Sequence, residues 1–335
     1  MDKRVIFAVA GSGKTTHIVD KLDLQSPVII VTYTNNNVEN LRERILKKFG
    51  YFPSNIKLQS YFSFLHGFCY KPFLSGTLKT KGLYYKPNMN RFAKNDAQYM
   101  TSSGRLYSNR LAKFIESKGV IQDVIARLEK YYKHIFFDEI QDFAGNDFNL
   151  LKNLAKANVN ITMVGDFYQH TFDTSRDGSV NKNLHSNYNS YIKLFEDMGF
   201  TVDTTTLKKS YRCSPTICSF ISNSIGISID SHRTDSVNIY YIDKQEEAQT
   251  IKANNEVVKL FYQKHYEYDC HSRNWGDCKG EDRYNDVCVV LNKTTFQNYK
   301  ENNLQDLAPS TKNKLYVACS RAKRNLYILS EELFK

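Results

Sequence analysis

The sequence lacks the features that mark membrane-spanning, secreted and low-complexity proteins. Its 335 residues contain no apolar run near the roughly 18 residues that a membrane-spanning helix requires. The apolar stretch in the N-terminal sequence MDKRVIFAVAG is too short for a secretory signal, and no small-residue cleavage site follows it. No internal repeat or low-complexity tract occurs. These absences predict a globular cytoplasmic protein that does not cross a membrane, and 41% hydrophobic with 24% charged residues is typical of that class.

Paired cysteine motifs are absent as well. The seven cysteines are scattered, none with C-x-x-C spacing, at positions 69, 213, 218, 270, 278, 288 and 319. An odd, scattered set is typical of reduced thiols in a cytosolic protein. Cys270, His271 and Cys278 would supply three ligands to a metal ion, but no second ligand pair completes the site. We therefore favour the interpretation that these three are surface-loop residues.

Short apolar runs alternate with amphipathic segments along the chain. They predict buried strands at 4–9, 28–32, 134–138, 160–164, 286–291 and 325–329, with helices at 15–22 and 38–49. Strands that alternate with helices indicate an α/β fold, in which a mainly parallel sheet carries helices on both faces. At about 150 residues per domain the length indicates two such domains. We place their boundary near residue 203, giving domains 1–203 and 204–335, with a long loop at 173–189.

The charge is unevenly distributed. Lysine and arginine number 46 against 35 acidic residues, and the net charge of +11 favours a polyanionic partner without naming it. Residues 77–119 contribute +7 of this charge, from nine basic and two acidic side chains. The basic residues are Lys79, Lys81, Lys86, Arg91, Lys94, Arg105, Arg110, Lys113 and Lys118. The aromatic residues interleaved with them are Tyr84, Tyr85, Phe92, Tyr99 and Tyr107.

This combination of side chains suits single-stranded nucleic acid. Cations neutralise the phosphates, and aromatic rings stack on the bases. The alternative is a solvated basic face whose tyrosines pack on its own underside. We favour nucleic-acid binding.

A glycine-rich loop lies between the first predicted strand and the first predicted helix. Its sequence, AVAGSGKT at 8–15, fits the phosphate-loop pattern G-x-x-x-x-G-K-[ST] except that Ala8 replaces the first glycine. Gly11 and Gly13 allow backbone N–H groups to wrap phosphates. Lys14 would reach the β- and γ-phosphates, and the Thr15 hydroxyl would hold Mg²⁺. The nucleotide-binding residues predicted here are Ala10, Gly11, Ser12, Gly13, Lys14, Thr15 and Thr16; the alternative is a glycine-rich turn.

Two carboxylates follow the apolar run at 134–138. In a parallel sheet, Asp138 and Glu139 would lie at the carboxyl edge, where ligands bind. Asp138 would hold Mg²⁺, directly or through water, and Glu139 would polarise the attacking water as general base. An Asp-Glu pair after a strand is equally typical of a helix cap. About 120 residues after a phosphate loop, the pair indicates an NTPase.

With these motifs in order from residue 4 to residue 330, the chain resembles superfamily 1 helicases of the UvrD/Rep/PcrA type. Residues 32–45 (TYTNNNVENLRERI) resemble motif Ia, which in that family touches the DNA backbone, and residues 59–64 (QSYFSF) lie where motif Ib is expected. Residues 164–169 (VGDFYQ) resemble motif III, in which Gln169 would sense the γ-phosphate. The nucleic-acid contacts predicted on this basis and from the basic segment are Thr32, Asn35, Tyr61, Phe62, Phe172, Lys81, Lys86 and Arg91.

Three further motifs lie in the second half of the chain. Residues 207–212 (LKKSYR) are similar to motif IV, where Tyr211 would stack on adenine and Arg212 would reach the γ-phosphate. Residues 278–282 (CKGED) resemble motif V, with Glu281 as a candidate ribose contact. Residues 315–323 (LYVACSRAK) are similar to motif VI, with Arg321 as a second arginine finger. The predicted catalytic residues are thus Glu139, Gln169, Arg212 and Arg321.

The resemblance implies two RecA-like domains with ATP and Mg²⁺ in the cleft between them. Residues 1–203 would form domain 1A with a short basic 1B-like insert at about 77–119, and residues 204–335 would form domain 2A without a 2B insert. Only seven residues precede Ala8, so the upstream motif that reads adenine has no counterpart here, and we expect base recognition to rest on Tyr211. The tryptophan that usually follows motif III is Thr174 in this chain.

Two functions are consistent with these features. The first is an ATP-dependent translocase or helicase on single-stranded DNA, with RNA left open. The second is a nucleotide-gated, nucleic-acid-sensing ATPase subunit that controls a partner nuclease in an antiphage defence complex, with little unwinding of its own. The compact architecture resembles UvrD-like subunits of nuclease-associated defence systems such as Gabija and favours the second. The full set of catalytic residues favours hydrolysis in either case.

The basic segment can be tested through salt dependence. Replacing Lys81, Lys86 and Arg91 together with Ala would remove up to three phosphate contacts, each contributing about 0.7 to the slope of log K against log salt for a single strand. We expect a flatter slope in anisotropy titrations of a labelled oligonucleotide at several NaCl concentrations. A variant with three lysines of the C-terminal half replaced is the matched control. An unchanged slope would place the nucleic-acid surface elsewhere.

Overall fold

The computed structural model describes residues 1–90, 92–171 and 179–334. Within those limits the chain forms two compact units. Unit 1 comprises Met1–Ile6, Thr15–Gly165 and Phe172–Asp203, and unit 2 comprises Phe7–Lys14, Asp166–Thr171 and Thr204–Lys335. The predicted phosphate loop and the segment around Gln169 therefore pack with unit 2, although both are flanked by residues of unit 1.

Unit 1 is built on a six-stranded sheet. The described strands of unit 1, including two outside this sheet, are β1 (Lys3–Phe7), β2 (Val28–Thr32), β3 (Ile56–Ser60), β4 (Leu83–Tyr84), β5 (Leu106–Tyr107), β6 (His134–Asp138), β7 (Asn160–Gly165) and β8 (Thr201–Asp203). The helices are α1 (Lys14–Asp20), α2 (Asn35–Phe49), α3 (Tyr61–Ser63), α4 (Lys71–Leu78), α5 (Leu111–Ser117), α6 (Ile121–Tyr131), α7 (Gly145–Leu154) and α8 (Tyr188–Asp197). A π-helical segment, Phe64–Tyr70, joins α3 to α4.

The strand order of this sheet is β3-β2-β6-β7-β1-β8, and β4 and β5 form a separate pair. β2 pairs in parallel with β3 and with β6, β6 with β7, and β1 with β8. Every residue of β2 is buried, as are the last four of β6 and the last five of β7. Continuous burial is what a parallel sheet covered on both faces requires.

Unit 2 contains a second parallel sheet. The described strands of unit 2, including two outside this sheet, are β9 (Lys209–Ser210), β10 (Asp230–Ser231), β11 (Ile239–Ile242), β12 (Val257–Phe261), β13 (Ser272–Asn274), β14 (Asp286–Leu291) and β15 (Leu326–Ser330). The helices are α9 (Pro215–Phe220), α10 (Gln245–Ala253), α11 (Lys293–Lys300) and α12 (Pro309–Cys319), with a π-helical segment at Ile221–Ile225. The five-stranded sheet has the order β11-β15-β14-β12-β13, and β9 and β10 pair separately. Among the described residues, no helix is long and apolar enough to cross a bilayer.

The sequence prediction of an α/β fold with parallel sheets flanked by helices is confirmed. The strands at 28–32, 134–138 and 286–291 have the predicted bounds, whereas the first strand ends at Phe7 and not at Val9. The helix predicted from residue 38 begins earlier, at Asn35, because the Thr34 hydroxyl accepts a hydrogen bond from the Asn37 N–H and caps it. The predicted loop at 173–189 lies partly outside the described residues, and its last two positions begin α8.

His134 makes the stability of unit 1 depend on pH. Its ring stacks on Phe136 with centroids 4.0 Å apart, and its Nε2 lies 2.9 Å from Thr162 Oγ1. Burial, with a smaller contribution from Lys21, lowers the pKa of His134 to about 4 from its ordinary value of 6.5. The unfolded chain therefore takes up a proton below pH 6.5 that the folded chain excludes until pH 4, so stability falls as pH drops through this window.

We expect the urea midpoint of unfolding to fall between pH 7 and pH 4.5, and His134→Gln to reduce that fall. Far-UV circular dichroism at several pH values measures both midpoints. His271→Gln, at an exposed position, is the matched control. The same pH dependence in both variants would show that His134 does not titrate in this way.

Candidate nucleotide and nucleic-acid site

The glycine-rich loop between β1 and α1 has a conformation that only glycine adopts readily. Gly11 and Gly13 have φ angles of +69° and +88°, in the left-handed region. A Cβ atom on Gly11 would lie 2.6 Å from Arg212 Cβ and 2.8 Å from Ser210 Oγ. Gly11 is therefore required for its backbone angle and for the close approach of residues 210–212.

Backbone hydrogen bonds hold this loop within unit 2. Gly11 O accepts from the Tyr211 N–H at 2.9 Å, and the Ala10 N–H donates to Tyr316 Oη at 2.8 Å. The Ser12 side chain is buried, and its hydroxyl has no hydrogen-bond partner among the residues that the structure describes. A buried hydroxyl without a partner beside two left-handed glycines fits a phosphate group, which would supply the missing acceptor.

The carboxylate pair lies at the carboxyl end of β6, as predicted. Asp138 is buried, and its Oδ2 accepts a hydrogen bond from Thr32 Oγ1 at 3.3 Å. Glu139 has a φ of +57°, which is strained for a residue with a side chain, and its carboxylate accepts a hydrogen bond from the Gln141 amide. Strain of this kind is concentrated at functional sites. Thr32, which was predicted to contact nucleic acid, is fully buried and instead contacts Asp138.

The segment after β7 fixes the side chain of Gln169. Asp166 is buried, and its Oδ1 accepts a hydrogen bond from the Tyr168 N–H at 3.1 Å. Asp166 Oδ2 accepts from Gln169 Nε2 at 2.9 Å and from Tyr316 Oη at 3.0 Å. Because Gln169 is itself buried, its amide is held in one orientation by a carboxylate.

Both predicted arginine fingers are bound within unit 2. Arg212 Nε donates to Asp282 Oδ1 at 2.7 Å, and Arg212 Nη1 donates to Ser320 O at 3.3 Å. Arg321 is buried; its Nη1 donates to Glu281 O at 2.9 Å, and burial lowers the pKa of its guanidinium to about 10. Arg321 therefore remains charged at neutral pH.

Glu281, the candidate ribose contact, is engaged by its own neighbours. Its carboxylate accepts a hydrogen bond from the Tyr284 hydroxyl and lies 3.7 Å from both Arg273 Nε and Arg283 Nη2. A ribose hydroxyl would have to share this carboxylate with a phenol and two guanidinium groups. The role predicted for Glu281 stays a prediction.

Two residues that the sequence analysis missed contact the arginine-bearing segments. His232 stacks on Tyr211, with centroids 4.0 Å apart and planes 11° apart, while Tyr211 remains 64% exposed. Arg233 Nη1 donates to Arg212 O and to Lys323 O, each at 2.5 Å. The parallel pairing of β9 with β10 places residues 232 and 233 beside residues 211 and 212. No short sequence motif predicts this pairing of β9 with β10.

The predicted nucleic-acid residues of unit 1 divide into exposed and buried groups. Asn35, Lys81 and Lys86 are exposed. Phe62 lies between Tyr33 and Tyr85, with ring centroids 5.9 Å and 5.8 Å away. Three aromatic rings thus follow one another, and the ring of Tyr85 is 69% exposed.

Tyr61 does not fit its predicted role. It is 1% exposed and packs edge-on against Phe143 at 4.7 Å, so its ring belongs to the core and is not presented to a base. Trp275 is also fully buried, and its Nε1 donates to Leu260 O at 2.8 Å. The predicted contacts Phe172 and Arg91 lie outside the described residues.

The cysteine–histidine metal site, which the sequence did not favour, finds no support in the geometry of the described residues. Among the described residues, no group of three or more His, Cys, Asp or Glu side chains is arranged to hold a metal ion. The interpretation of these residues as surface-loop residues is wrong for Cys278, which is buried with its Sγ 2.9 Å from Trp275 O, whereas His271 is exposed. A Mg²⁺ site needs fewer protein ligands than a cysteine–histidine site, because Mg²⁺ keeps several waters and takes only one or two protein oxygens. Thr15 and Asp138 are oxygen donors of that kind.

Comparison with known families identifies the fold. Residues 105–330 match the viral superfamily 1 RNA helicase core domain, and residues 2–173 match a family described as an AAA domain. The chain belongs to the superfamily 1 helicases. No curated protein matches its sequence.

Among solved structures, this chain is similar to arterivirus nonstructural protein 10, a helicase, in complex with DNA. The TM-score is 0.51 at 15% identity, covering 99% of this chain and 63% of that one. A second structure of that helicase gives 0.49 at 15% identity, with 99% and 62% covered. The PRRSV helicase gives 0.49 at 14% identity, with 98% and 52% covered. The chain thus spans between half and two thirds of the length of these helicases, and identities this low show the fold alone.

Gly11→Ala tests whether the close approach of the loop matters. A side chain in the left-handed region costs about 1–2 kcal/mol, and at residue 11 the Cβ would also collide with residues 210–212. We expect weaker binding of a fluorescent ATP analogue by about tenfold or more, together with a lower melting temperature. Gly50→Ala is the matched control, because Gly50 has a φ of +78° and no atom within 4 Å of its Cβ position. Equal effects of both variants on nucleotide binding would contradict this account.

Proposed function

We propose that this superfamily 1 helicase core is an ATP-dependent translocase or helicase that acts on single-stranded DNA in the manner of the UvrD type. The observation that supports this most strongly is the glycine loop, whose buried Ser12 hydroxyl has no hydrogen-bond partner within the described part of the chain. The same chain presents Asp138 and Glu139 at the end of a central strand. A phosphate receptor and a carboxylate pair are the two halves of an NTPase site.

The glycine loop, the carboxylate pair and Gln169 would together bind the nucleotide and hydrolyse it. The backbone of residues 10–16 and the Lys14 ammonium would hold the phosphates, and Thr15 and Asp138 would hold Mg²⁺. When bound, Mg²⁺ neutralises charge on the β- and γ-phosphate oxygens. Glu139 would orient the attacking water and accept its proton, and the Gln141 amide fixes the Glu139 carboxylate for this task. Gln169 would contact the γ-phosphate with an amide that Asp166 already orients.

Arg212 and Arg321 would stabilise the negative charge that develops during phosphoryl transfer. Arginine fingers are worth about 10³–10⁵ in rate in related phosphoryl-transfer enzymes. Arg321 is buried and charged, so little reorganisation of water opposes its effect. Tyr211 has an exposed ring on which adenine can stack, and His232 supports the opposite face of that ring.

Single-stranded nucleic acid is the polymer that suits unit 1. The row Tyr33, Phe62 and Tyr85 offers aromatic faces, and the basic segment that contains Tyr85 also offers the exposed cations of Lys81 and Lys86. The DNA complex of the arterivirus helicase supports DNA as one ligand of this fold. The viral RNA helicase family match makes RNA the polymer to test beside it.

A second function is favoured by the burial of Trp275. Because this tryptophan lies in the core, it does not replace the base-stacking tryptophan that the UvrD type carries after motif III. Weak coupling to bases suits an ATPase subunit in which nucleotide and nucleic acid gate a partner nuclease, as in Gabija-like defence systems. In that case the protein would hydrolyse ATP but separate duplexes poorly.

Glu139→Gln tests both functions at once. We expect ATP hydrolysis by the purified chain to rise with single-stranded DNA or RNA, and the substitution to lower the rate by about 100-fold or more, because it removes the general base. Phosphate release is measured with no polymer, with DNA and with RNA, and unwinding is measured on a tailed duplex.

Glu256→Gln, at an exposed position in unit 2, is the matched control and should leave hydrolysis unchanged. Hydrolysis without unwinding or polymer stimulation would favour the gated subunit over the translocase. Absence of hydrolysis by the native chain, with and without polymer, would overturn both.

A further inference from the structure

A buried tyrosine hydroxyl connects the phosphate loop to the segment that carries Gln169. Tyr316 lies in α12 and is fully buried. Its Oη accepts a hydrogen bond from the Ala10 N–H at 2.8 Å and donates one to Asp166 Oδ2 at 3.0 Å. The same carboxylate oxygen accepts from Gln169 Nε2 at 2.9 Å. Four groups from three separate stretches of unit 2 therefore form one continuous chain of hydrogen bonds.

The direction of these hydrogen bonds follows from the donors available. The Ala10 N–H can only donate, so the single proton of the Tyr316 hydroxyl is left for Asp166. Burial, and then the charge of Asp166, raise the pKa of Tyr316 well above its ordinary value. The hydroxyl stays protonated at working pH and donates to Asp166 Oδ2, which accepts from both Tyr316 and Gln169.

The ring of Tyr316 has a separate, purely structural role. It packs against Tyr168 with centroids 6.2 Å apart and planes at 74°, and it belongs to the apolar core of unit 2. A phenylalanine would preserve these contacts and remove only the hydroxyl. The two contributions can therefore be separated by a single substitution.

We propose that Tyr316 is a positioning residue, which transmits the state of the phosphate loop at Ala10 to the orientation of the Gln169 amide through Asp166. This inference rests on the proposed function, because it gives Gln169 the task of contacting the γ-phosphate. A displacement of the loop at residue 10 would lengthen the bond to Tyr316, and the shared Asp166 oxygen would pass that change to Gln169. Tyr316 is indispensable to this chain, because its hydroxyl accepts the bond from Ala10 and donates the bond to Asp166.

Tyr316→Phe is the test variant. We expect kcat of polymer-stimulated ATP hydrolysis to fall about tenfold, as for the loss of one or two buried hydrogen bonds. The KM for ATP should change less than about twofold, because the ring and the phosphate-binding residues remain. In a Gln169→Ala background, Tyr316→Phe should lower kcat by less than about twofold, since its effect acts through Gln169.

Hydrogen–deuterium exchange supplies a readout that does not require turnover. ADP should change the protection of peptides spanning 166–171 in the native chain, and this change should be lost in Tyr316→Phe. Ser222→Ala is the matched control, because the Ser222 hydroxyl also bonds to several backbone groups of unit 2, at Ile227 and Ile229. The control should keep both native kcat and the ADP response.

The outcomes distinguish this inference from the proposed function. If Gln169→Ala lowers hydrolysis and Tyr316→Phe has native kcat and a native ADP response, the inference is overturned and the function stands. Independent, multiplying effects of the two substitutions also overturn it. If the native chain neither hydrolyses ATP nor responds to ADP, the proposed function fails and the inference fails with it.

Discussion

The close packing of the phosphate loop on residues 210–212 is the constraint on which the rest of unit 2 depends. It is possible only because residue 11 is glycine, with a left-handed backbone and no Cβ to meet Arg212. Two hydrogen bonds hold this approach in place: the Tyr211 N–H donates to Gly11 O, and the Ala10 N–H donates to the Tyr316 hydroxyl. The loop that would receive phosphates is thereby joined to both segments that carry arginine.

The arginine guanidinium groups near this contact are held by protein acceptors in place of water. Asp282 pairs with Arg212, backbone carbonyls surround Arg321, and Arg233 bridges the carbonyls of residues 212 and 323. Burial of an unpaired guanidinium would be costly, and these acceptors offset that cost. A nucleotide phosphate is a stronger acceptor than a carbonyl, so fixed cations of this kind are suited to charge that appears only during phosphoryl transfer.

Much of the site could be predicted from sequence because its motifs are local. The loop glycines, the carboxylates after β6 and the arginines of residues 212 and 321 each lie at an element boundary that short patterns reveal. Thr32 and Tyr61 were misjudged because a motif position does not specify which way a side chain faces. Thr32 is the last residue of a fully buried strand. Tyr61 is the first residue of a short helix, and its ring packs into the core. Burial of this kind depends on what other segments cover the element.

By itself the sequence determined the alternation of strands and helices, the parallel sheets and the order of the helicase motifs, because periodicity and turn chemistry act over a few residues. Only the tertiary structure decided which distant groups meet. The stacking of His232 on Tyr211 follows from the pairing of two short strands about twenty residues apart, and the Tyr316 hydroxyl reaches residues 10 and 166 across more than a hundred positions. Such contacts arise from long-range packing, and hydrogen bonds made this way leave no pattern in neighbouring residues.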